Sequence, residues 1–328
     1  MNSLTKIGSL IGLVLLLGLF LWKGTIDSIY LLIDSGWSLL LLPVIWFPSL
    51  LPATEGWRRL FGNHPPPGFY NAFIATWIGR AVNNLLPVAS IGGEMIKARL
   101  LHQWGISGLD AIASVMVDKI SQALALILWG MVGVGTLLMI STDTRLAYYA
   151  TGGFAVLTVC VLTFAILQTK GFFGFMANLG GKFTSNQAWK EFSNNAGDID
   201  ARIREIYRSK GKLFSAILLR TFSLAIQTGE VWLACYLLNF PIGLVEAIML
   251  KSLTSTLTEI AFIIPNGYGI QEGAFILVGA ILGIPADIAL VLSLAIRIKD
   301  FIFDPAGLIV LHQIEVKNLQ KKNQLDSD

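Results

Sequence analysis

The sequence predicts an all-α polytopic membrane protein: an inverted-repeat bundle of about six full spans plus two broken, re-entrant helical hairpins. Three observations carry this. The 328 residues are 54% hydrophobic and only 14% charged, against about 25% charged in ordinary soluble domains. Leu85-Leu86-Pro87 followed by Glu94 recurs 178 positions later as Ile263-Ile264-Pro265 followed by Glu272. Two long apolar stretches are interrupted in their middles by proline and glycine. A fixed-offset repeat in a membrane chain is the mark of a transporter-like architecture. The offset also carries Gly105-Ile106 onto Gly283-Ile284, Ala111 onto Ala289 and Lys119 onto Arg297.

The elements follow in order. Ile7–Trp22 is apolar and is followed by Lys23-Gly24, with no small-residue cleavage site, so it reads as a retained first helix rather than a signal peptide. Trp37–Leu60, Leu109–Ile140, Ala147–Leu167, Leu213–Leu238 and Asp287–His312 are the other full spans, each near the ~20 residues a bilayer requires. Phe69–Trp104 is broken between Pro87 and Gly93, and Leu244–Leu282 between Pro265 and Gly273. Proline removes a backbone donor and glycine loosens a helix. Irregular backbone at bilayer depth survives only where protein or a watery cavity covers it. Each stretch is either two full helices or a hairpin that enters and returns; arms of about 15 to 20 residues are short for crossing and favour the hairpin.

The chain thus reads as one integral membrane domain, with residues 1–140 as the first half and 141–328 as the second. Each half runs span, span, hairpin, span. Glu55 and Trp57 recur as Glu230 and Trp232 at an offset of 175, a weaker echo of the same repeat. Orientation comes from the basic residues. Arg58 and Arg59, the eight lysines and arginines of Gln168–Lys212, and Lys317, Lys321 and Lys322 all fall on one side. The intervening segments Lys23–Gly36, Ser141–Leu146 and Asn239–Gly243 hold only Lys23 and Arg145. Both termini and the segment at about 168–212 are therefore expected in the cytoplasm. From Gln187 to Arg208 that segment has Phe192, Ile199, Ile203 and Ile206 at helical spacing. An amphipathic helix on the membrane face and a solvated charged linker both fit. At 45 residues it cannot bury an enzymatic core of its own.

Polar groups inside apolar runs are costly, and they mark sites by default. Arg80, Asn83, Asn84, Pro87, Glu94, Lys97 and Arg99 surround the first break. Pro265, Asn266, Gln271 and Glu272 surround the second, with Lys251, Thr254, Thr258 and Glu259 just before it. Asp118, Lys119, Arg297, Lys299, Asp300 and Asp304 lie on the spans that follow. Arg80, Asn83, Asn84 and Pro87 share one helix face aimed at the break. Arg297, Asp300 and Asp304 share another and can pair. Two polar broken helices meeting near the midplane would line a path for a charged or hydroxylated headgroup. The bland readings are that Lys97, Arg99 and His102 snorkel to the interface, and that Asp118 with Lys119, or Arg297 with Asp300, are structural pairs. Glu94 and Glu272 resist dismissal, because both repeats keep the acid seven residues after the proline.

Catalytic chemistry is not apparent. His64, His102 and His312 are scattered near span ends and suggest no metal site. Neither H-E-x-x-H nor G-x-S-x-G occurs. Gly180-Gly181-Lys182 fails as a phosphate loop, since Phe183 stands where Ser or Thr is needed and Met176 where the leading Gly is needed. Cys160 and Cys235 sit in apolar runs, which argues against a disulfide framework. No cofactor and no nucleic-acid partner is expected; the juxtamembrane basic residues suit anionic headgroups.

Asn83-Asn84-Leu85-Leu86-Pro87, Gly92-Gly93-Glu94 and Ala98-Arg99-Leu100-Leu101 together resemble the first signature of the lysylphosphatidylglycerol synthase transmembrane, or flippase-like, family. Ile264 through Gly273, continuing to Arg297, Asp300 and Gly307, resembles its second. The Pro87-Val88-Ala89 and Gln271-Glu272-Gly273 combination is most similar to the hopanoid-associated, HpnL-type branch. The resemblance implies movement of a polar lipid, or a lipid-linked intermediate, between leaflets of a bacterial inner membrane. Membrane lipids are the implied partners, with lipid-biosynthesis enzymes as further candidates. Larger members carry a soluble aminoacyl-transferase domain. Since this chain ends at Asp328, lipid aminoacylation by it alone is not expected, nor is enzymatic activity. The competing expectations are an intramembrane lipid-modifying enzyme using Glu94 or Glu272, and a non-catalytic scaffold docked through Gln168–Lys212.

Overall fold

The computed structural model describes residues 35–86, 91–140, 144–171, 187–260 and 264–325, with positions 18, 30 and 33 before them. The expected first span Ile7–Trp22 and the residues Pro87–Ser90 lie outside the described residues. The described elements are helical throughout, in the order α1 (Gly36–Phe61), α2 (Phe69–Leu85), α3 (Gly92–Gln103), α4 (Gly108–Ile140), α5 (Thr144–Thr169), α6 (Gln187–Arg208), α7 (Lys210–Ile226), α8 (Thr228–Leu237), α9 (Leu244–Ile260), a 3-10 turn at Pro265–Gly267, α10 (Ile270–Ile281), α11 (Ala286–Ile296) and α12 (Ile298–Leu325).

Among the described residues three helices are long and apolar enough to cross a membrane: Gly36–Phe61, Gly108–Ile140 and Thr151–Thr169. They correspond to three of the six expected spans. Pro43, Pro48 and Pro52 each remove a donor from α1, and the chain answers by alternating α and 3-10 turns. The expected continuous spans Leu213–Leu238 and Asp287–His312 are instead each divided at one residue, Gln227 and Arg297. At Arg297 the backbone N–H turns to Leu294 O at 3.1 Å rather than four residues back. The second of these spans also carries Lys299, Asp300 and Asp304, the charges that make its hydropathy fall short.

The two broken stretches have the same anatomy. α2 and α9 are each 17 residues, and α3 and α10 are each 12. At 1.5 Å per residue these arms measure about 25 and 18 Å, short of a ~30 Å hydrocarbon core. Both returning arms stop in the same way. Gly105 at φ +90° and Gly283 at φ +72° take the left-handed conformation that suits glycine. Ile106 N donates to Leu101 O at 3.0 Å and Ile284 N to Gly279 O at 2.9 Å, closing identical helix-end motifs. The repeat seen in residues is therefore also a repeat in helix lengths and termini.

Packing is reciprocal between the halves. α2 lies against α12, while α9 lies against α4; α7 and α8 run antiparallel along α1. Gly307 of α12 seats on Trp77 and Ala81 of α2, and Gly130 and Gly133 of α4 seat on Thr256 and Ser252 of α9. The bundle has two distinct ends. At one, Lys212 Nζ donates to Gly62 O (2.5 Å), Arg202 pairs with Asp110 (2.6 Å), and Asn318 donates to Gln103 (3.0 Å). This gathers the basic residues of α1, α6, α7 and α12 in one place. At the other end Leu39, Leu137, Leu238, Val278 and Ile284 share one apolar core. Helix α6 resolves the choice left open for its segment. Its apolar face, Ile199, Ile203 and Ile206, is buried on Leu60, Ala113, Val117 and Ala216, so protein rather than lipid or water covers it.

Helices α2 and α3 touch through glycine. A Cβ on Gly93 would run into the Gly79 carbonyl oxygen and the Asn83 amide. Overpacking costs about 1–3 kcal/mol where neighbours can shift, and backbone shifts least. Gly93→Ala should therefore lower the thermal midpoint and the yield of monodisperse protein. Gly152→Ala on α5, where nothing lies within 4 Å, should leave both unchanged. Fluorescence-detected size-exclusion chromatography after heating reads the comparison.

Candidate functional site

The polar residues of the two breaks fold into two charged clusters on either side of α2. The first begins with Glu94, in the first turn of α3 and buried. Its Oε2 lies 3.0 Å from Lys97 Nζ and its Oε1 lies 3.2 Å from Lys119 Nζ. Lys97 reaches on to Asp118 Oδ2 at 2.9 Å and stacks on the Trp57 ring at 4.2 Å. Asp118 is also held by Arg220 Nη2 at 2.6 Å and by Gln122 Nε2 at 3.0 Å. Asn83 Oδ1 accepts the Gly93 N–H at 2.8 Å, tying the tip of α2 to the start of α3.

The second cluster centres on α12 and the turn at Pro265–Gly267. Glu272, fully buried in the first turn of α10, takes Arg297 Nε at 2.6 Å and the Gly269 N–H at 2.7 Å. Arg297 also donates to the Asn266 carbonyl at 3.2 Å and stacks on Tyr268 at 4.6 Å. Asn266 adopts φ +50°, a conformation asparagine tolerates, and its amide reaches Asp300 Oδ2 at 3.2 Å. Arg80 of α2 clamps Asp300 and Asp304, each at 2.5 Å, over the Trp46 ring at 4.3 Å. Asn84 donates to the remaining Asp304 oxygen at 2.9 Å. Lys299 pairs with the fully buried Glu230 at 3.1 Å. Gln271 reaches Ser293 Oγ at 3.1 Å.

Most residues singled out from the sequence are thus brought together, as two clusters rather than one lining. Helix α2 packs directly on the Pro265–Gly267 turn, so the arm that leads into the first break lies against the second. Pro87 lies outside the described residues. Arg99 stands apart, exposed and paired with Glu315 at 2.8 Å, as an interfacial residue would be. Lys97, by contrast, is buried and does not snorkel. Neither the Arg297–Asp300 pair expected from spacing nor the alternative Asp118–Lys119 pair forms. Asp118 and Lys119 point in different directions because adjacent helical residues do not face each other. Arg297 is drawn to Glu272, and Asp300 with Asp304 to Arg80. Glu94–Lys119 and Glu272–Arg297 are, in consequence, the same ion pair in both repeats. Reading polar residues only around the breaks passed over Arg220. The available signal was an arginine alone in the apolar run Ala216–Ile226.

An apolar helical bundle with three helices able to cross a membrane and two clusters of buried, mutually paired charges is an integral membrane protein. The chain belongs to the family of the lysylphosphatidylglycerol synthase TM region, whose sequence profile matches residues 7–305. No curated protein and no solved structure matches it. Membership joins the membrane location to the handling of lipids.

Removing one partner of a buried ion pair strands the other, at a cost of about 3–5 kcal/mol. Arg80→Ala should therefore lower the thermal midpoint strongly. Arg80→Lys should rescue little, because one ammonium cannot span two carboxylates as the guanidinium fork does. Thermal melts of the two variants in detergent check this, and equal recovery by lysine would contradict the clamp.

Proposed function

We propose that this protein moves an amphiphilic lipid between the leaflets of a bacterial cytoplasmic membrane and releases it chemically unchanged. The observation that carries the reading is the meeting of the arm before the first break with the turn of the second. Helix α2 packs on the turn before α10, with Arg80, Asn84, Asn266 and Asp300 linking them inside an apolar bundle. Polar backbone and side chains at that depth serve a headgroup path. Matched helix lengths, matched helix ends and reciprocal packing support two halves related by inversion. In that arrangement each broken pair is a re-entrant hairpin, one from each face. The hopanoid-associated motif resemblance makes a hopanoid-related lipid or a lipid-linked intermediate the first substrate to test.

The basic residues gathered at one end of the bundle support an orientation with that end in the cytoplasm, and with it the cytoplasmic termini expected from the sequence. A Lys190→Cys probe in a background lacking Cys160 and Cys235 should resist impermeant maleimide in intact cells and react after permeabilisation. Strong labelling of intact cells would reverse the orientation.

The lipid path itself is tested in liposomes. Purified protein should redistribute a headgroup-labelled polar lipid across the bilayer without changing its mass. Glu272→Gln and Glu94→Gln should each slow this by about tenfold or more, the scale of 1.4 kcal/mol in a barrier, while still inserting and accumulating. Wild-type rates from both variants would make the acids structural and favour a scaffold. A new covalent lipid product formed without another protein would favour an intramembrane enzyme.

A further inference from the structure

The two repeats keep the same ion pair but not the same charge balance. Around the first break Lys97, Lys119 and Arg220 face only Glu94 and Asp118, leaving one positive charge in excess among the described residues. Around the second break Arg80, Arg297 and Lys299 face Glu230, Glu272, Asp300 and Asp304. Lys251 on α9 shares the field of Glu230 and Asp300 but also that of Glu259, so this set carries no excess of positive charge.

The excess also has a location. Asp118 is held by Lys97, Gln122 and Arg220, and Glu94 is ion-paired with Lys97 although its buried Oε2 accepts no hydrogen bond. Lys119 adds a single contact, to Glu94 Oε1, and its side chain stays 38% exposed while those of Lys97 and Arg220 are 4% and 12% exposed. Its counterpart Arg297 is 3% exposed, with donors spent on Glu272 and two backbone carbonyls. Nor does Lys119 lie at a helix end. It is eleven residues into α4, about 17 Å along the axis at 1.5 Å per residue. The Arg220 Nε is a second donor there, buried and without an acceptor. An uncompensated cation in a low-dielectric bundle is costly unless an anion joins it.

We infer that the first-break cluster is the binding site for the phosphate of an anionic lipid headgroup, with Lys119 as its contact and Lys97, Asp118 and Arg220 as the frame that holds Lys119 in excess. This deepens the lipid-moving reading and rests on it for biological context, but it concerns binding alone. It assigns headgroup capture to the first repeat and leaves the second-repeat pair as a neutral lock. Glu94 then has two roles: it positions Lys119 and limits how tightly the phosphate is held.

The test measures the thermal midpoint of the detergent-purified full chain with mixed micelles of phosphatidylglycerol, of phosphatidylcholine, or with inorganic phosphate. Phosphatidylglycerol should raise the midpoint by about 3 °C or more through linkage, and the other two should not. Lys119→Gln should lose that rise; Lys119→Arg and the exposed-tail control Lys317→Gln should keep it. Glu94→Gln, which takes the excess from one charge to two, should enlarge the rise even though transport slows. Should Lys119→Gln fail to accumulate, the Lys119→Arg and Glu94→Gln responses decide. A rise retained in Lys119→Gln, a rise unchanged or diminished in Glu94→Gln, or an equal rise with phosphatidylcholine would overturn the site. A rise with inorganic phosphate alone would assign it to a soluble anion instead of a lipid. Absence of leaflet movement alongside a Lys119-dependent rise would defeat the transport reading and leave this site standing.

Discussion

Arg80 leaves α2, crosses to α12 and sets its guanidinium between Asp300 and Asp304, with the Trp46 ring beneath it. Everything near the second break depends on that clamp. Two carboxylates one helical turn apart repel each other in a low-dielectric interior, and a cation between them converts the repulsion into cross-linking. Since α2 belongs to the first half and α12 to the second, the same contact fastens the halves together. It also leaves one Asp304 oxygen for Asn84 and one Asp300 oxygen for Asn266. The tips of both broken stretches are thereby tied to one short piece of α12.

The counterpart interface is of another kind. Where α2 meets α12 through ions and Trp77, α9 meets α4 through Ser252 and Thr256 pressed onto Gly133 and Gly130. Those hydroxyls satisfy themselves on carbonyls of their own helix, Ser252 on Ile248 O and Thr256 on Ser252 O. Interhelical hydrogen bonds are thus not what joins this pair; close backbone approach is. One inter-half contact is locked by charge and the other is smooth.

Helix α6 secures one end of this assembly. Arg202 pairs with Asp110 and with Glu205, and that hydrogen bond holds the exposed Glu205 carboxyl below the usual carboxylate range. Three isoleucines seal the joint between α1, α4 and α7. The effect is a cap over the end where the basic residues collect, which ties down the first turn of α4.

Much of this was legible in the residues. Hydropathy gave α1, α4 and α5, since a bilayer selects length and apolarity directly. The Pro-to-Glu spacing located both breaks, and the 178-residue offset matched Glu94 with Glu272 and Lys119 with Arg297 before any contact was known. What periodicity could not supply was partnership. Spacing along one helix suggested Arg297 with Asp300, and Asp118 with Lys119 was the bland alternative, yet a buried charge pairs with whatever lies nearest in space, and in a bundle that is a neighbouring helix. Arg220 stands 102 positions from Asp118, and Arg80 220 positions from Asp300, so no local pattern joins them. The breaks at Gln227 and Arg297 were hidden for a related reason: each is a single residue in helical conformation, with no proline beside it. Composition and repeat spacing determined the class of protein and the position of its breaks, because bilayer thickness and backbone chemistry act on the chain locally. Tertiary packing alone decided which charges neutralise one another and which lysine remains in excess, because electrostatic partners are chosen by distance through space.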